Sequence, residues 1–472
     1  MPRSGLPPGT RSLLDRSISR SRLKLPVVKG AGNHSTELPL APNGSASRGS
    51  SYVRRVVDDE LDALLPALPA ISLEGPKAVG KTETALRRAT TIHRLDDPGQ
   101  RTVAEADPDR LVRGTRPVLV DEWQRLPESW DLVRRAVDDD PSPGQFLLTG
   151  SAAPAEHPTH SGAGRIVTIR MRPMTLAERG VGSPTVSLGK LLSGERAPVE
   201  GETDVSLDTY VTEIVASGFP GLRHLTGRAL RAQLDGYIAR IAEREFEDLG
   251  HRLRNPPALR RWMTAYAAAT STTASYETIR DAATSGEGDK PAKSTTQPYR
   301  DTLERLWVID QVPAWQPVRN PIARLTSPPK HHLADPALEA RLLGADVDAL
   351  LDARRLGPPI PRDGTLLGHL FESLVTLSVR VFAQAAEASV KHLRTRGEQH
   401  EIDLIVERGD HRVLAIEVKL AHRVGEEDLQ HLRWLADAIG DDLLDAVVVT
   451  TGPVAYRRPD GIAIVPAALL GP

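Results

Sequence analysis

The stretch Leu73-Glu74-Gly75-Pro76-Lys77-Ala78-Val79-Gly80-Lys81-Thr82 decides the reading of this chain. It has the spacing G-x-x-x-x-G-K-T, after an apolar run over 68–73 fit for a buried strand and before helix formers over 82–90. Strand, glycine loop and helix in that order make a phosphate cradle. Gly75 and Gly80 permit positive φ, so the backbone through Pro76, Lys77, Ala78 and Val79 can close on phosphates at a helix N-terminus. Lys81 would reach the β- and γ-phosphates, and the Thr82 hydroxyl would hold a magnesium ion. The chain has 10 lysines against 50 arginines, so a lysine at the one position where Arg's planar fork fits poorly carries weight. The stretch predicts binding of ATP with Mg2+.

Composition bounds the rest. At 472 residues the length suggests about three domains. The net charge of −2 supplies no global field for nucleic acid, so any such contact needs a local patch. Cysteine is absent, which excludes disulfides and thiolate sites. Apolar runs fall short of the roughly 18 residues of a membrane span, and Asp15 and Arg16 interrupt the only candidate for a signal core. A cytoplasmic protein with no membrane partner is expected.

Residues 1–48 carry eight basic side chains against Asp15 and Glu37, a local balance of +6, with no hydrophobic periodicity. They read as a disordered basic tail, or else as a nucleic-acid-binding arm. From 49 to 207 a parallel α/β P-loop domain is expected. It opens with a helix over 54–65 and includes the strand Pro117-Val118-Leu119-Val120-Asp121-Glu122. Asp121 would hold magnesium through water, and Glu122 would orient or deprotonate the attacking water. The helix after it has Leu132, Val133 and Val137 at core spacing. A third strand over 145–151 ends in Ser151, a candidate γ-phosphate sensor, or simply a turn residue. A mobile loop over 152–164 and a strand over 165–171 follow.

Residues 208–355 read as helical, with Leu230, Leu234, Tyr237, Ile238 and Ile241 forming a buried stripe. A polar connector over 275–280 comes next. A helix opened by Thr296 and Pro298 should place Tyr299, Leu303, Leu306 and Trp307 on its core face, before a strand over 308–315. That order is winged-helix-like, but Arg300 and Arg305 are balanced by Asp301 and Glu304, which favours packing over DNA reading. A Pro-rich joint over 356–361 opens the last domain, 356–472. Its long apolar helix over 366–386 precedes a hairpin of strands 401–407 and 413–420. Setting Glu407 opposite Val413 places Asp403 opposite Glu417 and Glu401 opposite Lys419. Ile402, Leu404 and Val406 then share one side with Leu414, Ile416 and Val418. The other side gathers two carboxylates and Lys419, as a metal site or a solvated face. A helix over 426–439 and a strand over 446–450 complete the unit.

Taken together, GPKAVGKT, VLVDEWQ, FLLTGSA, PKHHLADPALEARLL, GHLFESLV and EIDLIVE…AIEVKLA resemble prokaryotic AAA-type ATP-binding proteins. Those have a C-terminal domain of unknown function similar to PD-(D/E)xK nucleases. The resemblance covers everything after the tail. It implies Lys81, Thr82, Asp121 and Glu122 at the ATPase site with Ser151 as sensor, and Arg165 reaching phosphate from a neighbouring protomer. It also implies a restriction-endonuclease-like C-terminal fold with Glu372, Asp403 and Glu417 around a second Mg2+ or Mn2+, and Lys419 as the catalytic lysine. Two functions remain open: an ATP-driven enzyme acting on DNA, or a non-cleaving nucleotide switch or adaptor that binds a protein or DNA partner through its C-terminal half; either could work as a homo-oligomer.

Overall fold

The computed structural model describes residues 52–152, 162–249, 255–284, 293–316, 327–351, 365–395 and 399–472. The expected tail, most of the loop over 152–164 and the Pro-rich joint lie outside them.

Helix α1 (Val56–Leu64) leads into β1 (Ala70–Glu74), and α2 (Lys81–Leu86) follows the glycine loop. β2 (Thr91–Arg94), β3 (Val118–Asp121), β4 (Phe146–Gly150) and β5 (Ile166–Arg170) complete a sheet of order β2-β3-β4-β1-β5. Every pairing is parallel, with Ala70 level with both Phe146 and Ile166. All five C-terminal ends therefore reach one edge, where the loops that leave them collect. Both faces are covered, which is why the central strands read as near-continuous apolar runs. Ile71, Leu73, Leu119 and Leu147 point into a core with Leu61 of α1. Ala70, Val118, Val120, Phe146 and Leu148 point into a second core with α3 (Pro98–Ala106) and α4 (Glu128–Asp139). The helix expected over 82–90 stops at Leu86, and β2 follows it unforeseen. As an edge strand, β2 has only alternating half-burial and no apolar run to announce it.

The chain then passes through β6 (Val186–Ser187), α5 (Leu188–Leu191), β7 (Gly201–Glu202) and α6 (Leu207–Ala216). α7 (Gly227–Arg240) buries Leu230, Leu234 and Ile238 as the stripe requires, and a π turn over Ile241–Glu245 joins it to α8 (Phe246–Asp248). α9 (Pro256–Ala268), α10 (Tyr276–Ala282) and α11 (Lys293–Arg305) occupy the stretch expected to be winged-helix-like. Four details differ from expectation. The supposed connector is α10, which Ser275 caps by accepting the Thr278 N–H. Pro298 lies inside α11 rather than at its start. The stretch over 308–315 is no regular strand but is tied by single bridges, Ile309 to Leu333, Val312 to Lys330 and Ala314 to His392. Trp307 leaves the helical face because its φ is 59°, and Arg170 stacks on its ring.

α12 (Pro336–Leu342), α13 (Val347–Leu351) and α14 (Thr365–Ala385) precede the second sheet. Its strands are β8 (Ser389–Arg394), β9 (Glu401–Glu407), β10 (Val413–Lys419), β11 (Leu443–Thr450), β12 (Val454–Arg457) and β13 (Ala463–Pro466). The order is β7-β12-β13-β11-β10-β9-β8, so β7 crosses the expected boundary at 207. β6 does the same by pairing with β14 (Leu470–Gly471). α14 packs Leu370, Phe371, Leu374 and Phe382 on one face of this sheet, each contributing roughly 1.5–3 kcal/mol by burial. α15 (Gln430–Ile439) covers the other face with Leu432 and Leu435. Among the described residues α14 alone has the length and apolarity of a membrane span, and 72% of that window is buried inside the protein.

Candidate functional site

The glycine loop leaves β1 at the edge where the parallel strands end. Gly75 has no alternative residue there: a Cβ would sit 2.1 Å from the Met171 carbonyl oxygen. Gly80 caps α2 with φ 107°, a left-handed value that favours glycine. The Lys81 ammonium is buried and donates to the carbonyls of Gly75 and Pro76, at 2.9 Å each, so the loop is wrapped around its own lysine. Burial pulls Lys81 down to about 8, although Glu122 and Asp121 oppose the shift.

Thr82 Oγ1 donates to Asp121 Oδ1 at 2.7 Å, and Thr149 on β4 donates to the same oxygen. A hydroxyl and a buried carboxylate meeting at the loop are hard oxygen donors of the kind Mg2+ takes, so these residues fit that ion. Glu122 follows with φ 57°, which turns it out of the strand. Its Oε2 accepts from Gln124 Nε2 at 2.6 Å and from Ser151 Oγ at 2.9 Å. Ser151 therefore stands beside Glu122, where the sequence expected a sensor. Arg165 is not brought to the loop. It precedes β5 at the opposite edge of the sheet and pairs with Asp138 at 2.7 Å.

Some of the residues around the loop were not foreseen. Buried Arg55, just before α1, donates to the Val79 carbonyl at 3.1 Å and pairs with Glu178 at 3.0 Å. Lys77 pairs with Glu245 of the π turn at 2.5 Å, and the Tyr237 hydroxyl donates to the Lys77 carbonyl. The helical segment thus grips the loop from above. The Arg55–Glu178 and Lys77–Glu245 pairs have no local sequence signal, because their partners are 123 and 168 residues apart.

At the second sheet, β9 and β10 pair in the expected register from Val413–Glu407 to Ile416–Leu404. Beyond Leu404 the alternation slips. The pairing of β8 with β9 shifts between Lys391 and Leu393, and the Val418 N–H goes to the Asp403 carboxylate at 2.9 Å. Ile402 consequently joins Ile405 in the core under α15, not Leu404 and Val406 under α14. The polar side is no solvated face either, since Glu417 is only 3% exposed.

What gathers the carboxylates is Lys330, a residue with no role in the sequence reading. Its ammonium lies 2.9 Å from Glu372, 3.1 Å from Asp403 and 3.4 Å from Glu401, with its side chain 1% exposed. Lys419 pairs with Glu417 at 3.4 Å. Among the described residues no group of three or more acidic or histidine side chains is arranged to hold a metal; Glu372, Asp403 and Glu401 surround the Lys330 ammonium instead, and Glu417 lies beside Lys419. Burial, followed by Asp403, pushes Glu372 up to about 8 and Glu417 well above its ordinary value. Burial also acts on Asp403, but Lys330 outweighs it and holds that carboxyl below the usual range.

The loop, the threonine and the strand-end carboxylates form a phosphate-binding arrangement suited to ATP. In agreement, residues 68–179 match the AAA domain family. Residues 207–349 and 367–470 match two families described as domains of unknown function (DUF8612 and DUF4143). The chain is 26% identical over 452 residues to uncharacterized proteins of Mycobacterium tuberculosis and Mycobacterium bovis, covering 94% of this chain and 89% of each relative. A solved Walker-type ATPase of Pyrococcus abyssi matches 60% of this chain and 94% of its own at 16% identity, with a TM-score of 0.35.

Proposed function

We propose that the protein binds and hydrolyses ATP at residues 75–82, and that its nucleotide state acts on the C-terminal half. The observation that carries this reading is the meeting of Thr82 with Asp121 beside Lys81. Lys81 neutralises the β- and γ-phosphates once they displace the two loop carbonyls from its ammonium. Thr82 and Asp121 would hold Mg2+, which shields the phosphate charge. Glu122 takes the proton of the attacking water, and Gln124 and Ser151 fix its carboxylate for that task. A titration with fluorescent ATP tests the site: Lys81→Ala should lose most of the affinity, and unchanged affinity rejects the assignment.

The C-terminal half supports a second step, metal-dependent action on DNA. The support is the cluster of Glu372 and Asp403 at Lys330 with the Glu417–Lys419 pair on β10 beside it. A divalent ion there would activate water for attack on phosphate, with Lys419 positioning it. The full chain with ATP and Mn2+ should nick plasmid DNA, and Glu417→Gln should not. Equal lack of nicking by both favours the non-cleaving switch.

A further inference from the structure

Lys330 is the most consequential side chain that the proposed chemistry leaves unused. It is fully buried, and it meets carboxylates from both α14 and β9. Around it the formal charges do not balance. Glu372, Glu401, Asp403 and Glu417 meet the ammonium groups of Lys330 and Lys419 and, at Glu401, the Arg394 guanidinium at 3.7 Å. By formal charge the four carboxylates exceed these three cations by one, and by two once Lys330 leaves. Glu417 Oε1 is buried without a hydrogen-bond partner, which is the costly way to leave a carboxylate oxygen. With Lys330 withdrawn, a cage short of two charges and carrying a free buried oxygen matches a divalent cation.

Lys330 also sits at one end of a strap that reaches the nucleotide loop. Its backbone N–H and carbonyl both pair with Val312 at 2.9 Å. Five residues on, Asp335 accepts from Ser217 Oγ at 2.6 Å and from the Gly218 N–H at 2.7 Å. Pro220, two residues beyond Gly218, lies 3.7 Å from where a Cβ on Gly80 would be. A second link runs through α7 and α12. Asp235 of α7 pairs with Arg341 of α12, and Glu339 of α12 accepts from the Leu333 N–H at 2.8 Å and the Ser373 hydroxyl at 3.1 Å. Ser373 is the neighbour of Glu372. Both ends of the Lys330–Glu372 contact are thus tied to elements that touch the loop.

We propose that Lys330 is the removable plug of a divalent-cation site formed by Glu372, Asp403 and Glu417, and that nucleotide at 75–82 withdraws it through the 330–335 strap. This rests on the metal-dependent reading of the C-terminal half. An ammonium and a divalent ion cannot share the same carboxylate oxygens, so the two compete. A ligand that favours one arrangement must then change the affinity for the other.

The test is Mn2+ titration of the full chain, read by electron paramagnetic resonance. Without nucleotide, Lys330→Met should bind one Mn2+ about 100-fold more tightly than wild type. Adding Glu417→Gln to Lys330→Met should abolish that ion. With a non-hydrolysable ATP analogue, wild type should take two Mn2+ ions and Glu417→Gln one. Lys330→Gln, which keeps hydrogen bonds to the carboxylates, replaces Lys330→Met if the latter does not fold. Equal Mn2+ affinity of wild type and the folded Lys330 variant overturns the plug. One ion in both proteins with the analogue overturns its withdrawal by nucleotide. The first comparison contains no nucleotide, so failure of the plug is separable from failure of the ATP reading.

Discussion

Asp310 is the charge that joins the ATP-binding sheet to α14, and replacing it by Asn should be severely destabilising. The residue is 5% exposed, and three guanidinium groups converge on it: Arg170 at 3.0 Å, Arg172 at 2.9 Å and Arg380 at 2.6 Å. Two of these arginines lie at or just past the end of β5, and the third is on α14. Removing one partner from a buried ion cluster costs about 3–5 kcal/mol, because the remaining charges stay desolvated without a counterion. Here three cations are stranded, so the upper end of that range is expected. Urea unfolding followed by tryptophan fluorescence reads the loss, and adding Arg380→Met should recover part of it by removing a stranded charge. The pH dependence has a definite sign. Burial raises the Asp310 carboxyl, but the three arginines outweigh it and hold it far below the usual range. Its contribution is therefore fully present above the unfolded value of about 3.9 and is lost as pH falls below it. A cost under about 1 kcal/mol for Asp310→Asn, a value typical of an exposed ion pair, would refute the reasoning.

Other consequences can be measured separately. Gln124→Ala frees the Glu122 carboxylate of one donor, so ATP turnover should fall by on the order of 10-fold with nucleotide affinity kept; equal losses in both would place Gln124 in binding. Gly75→Ala drives a Cβ into the Met171 carbonyl, and both nucleotide binding and thermal stability should drop; a normal melting curve would mean the loop is not packed on Met171. Glu339 is fully buried, and burial pushes it up to about 8. Because its folded value is raised, stability falls as pH rises from about 4.3 toward that value, and Glu339→Gln should flatten this slope between pH 5 and 8. An unchanged slope would mean that Glu339 is solvated.

The ATP-binding loop was legible because its chemistry fixes residue types at short spacing. Gly75, Gly80, Lys81 and Thr82 are neighbours in sequence, and Asp121-Glu122 end an apolar strand that burial on both faces makes conspicuous. The hairpin register was legible from alternation as far as Leu404. There the shift that sends Asp403 onto the Val418 N–H has no signature in residue order. Lys330 was hidden for a different reason. Its stretch, PKHHLAD, stood out, yet Glu372 and Asp403 are 42 and 73 residues away, and only the tertiary fold brings them to one ammonium. Short strands such as β6, β7 and β14 are two residues long and carry no periodicity, so their crossing of the boundary at 207 could not be read.

The most direct measurement is phosphate release from ATP by the full chain with Mg2+, compared between wild type and Glu122→Gln at matched nucleotide occupancy. Wild type should turn over steadily, while Glu122→Gln should bind ATP as well and hydrolyse it slower by on the order of 10²-fold or more. Equal hydrolysis by the two proteins would contradict the assignment of Glu122 as the group that activates water.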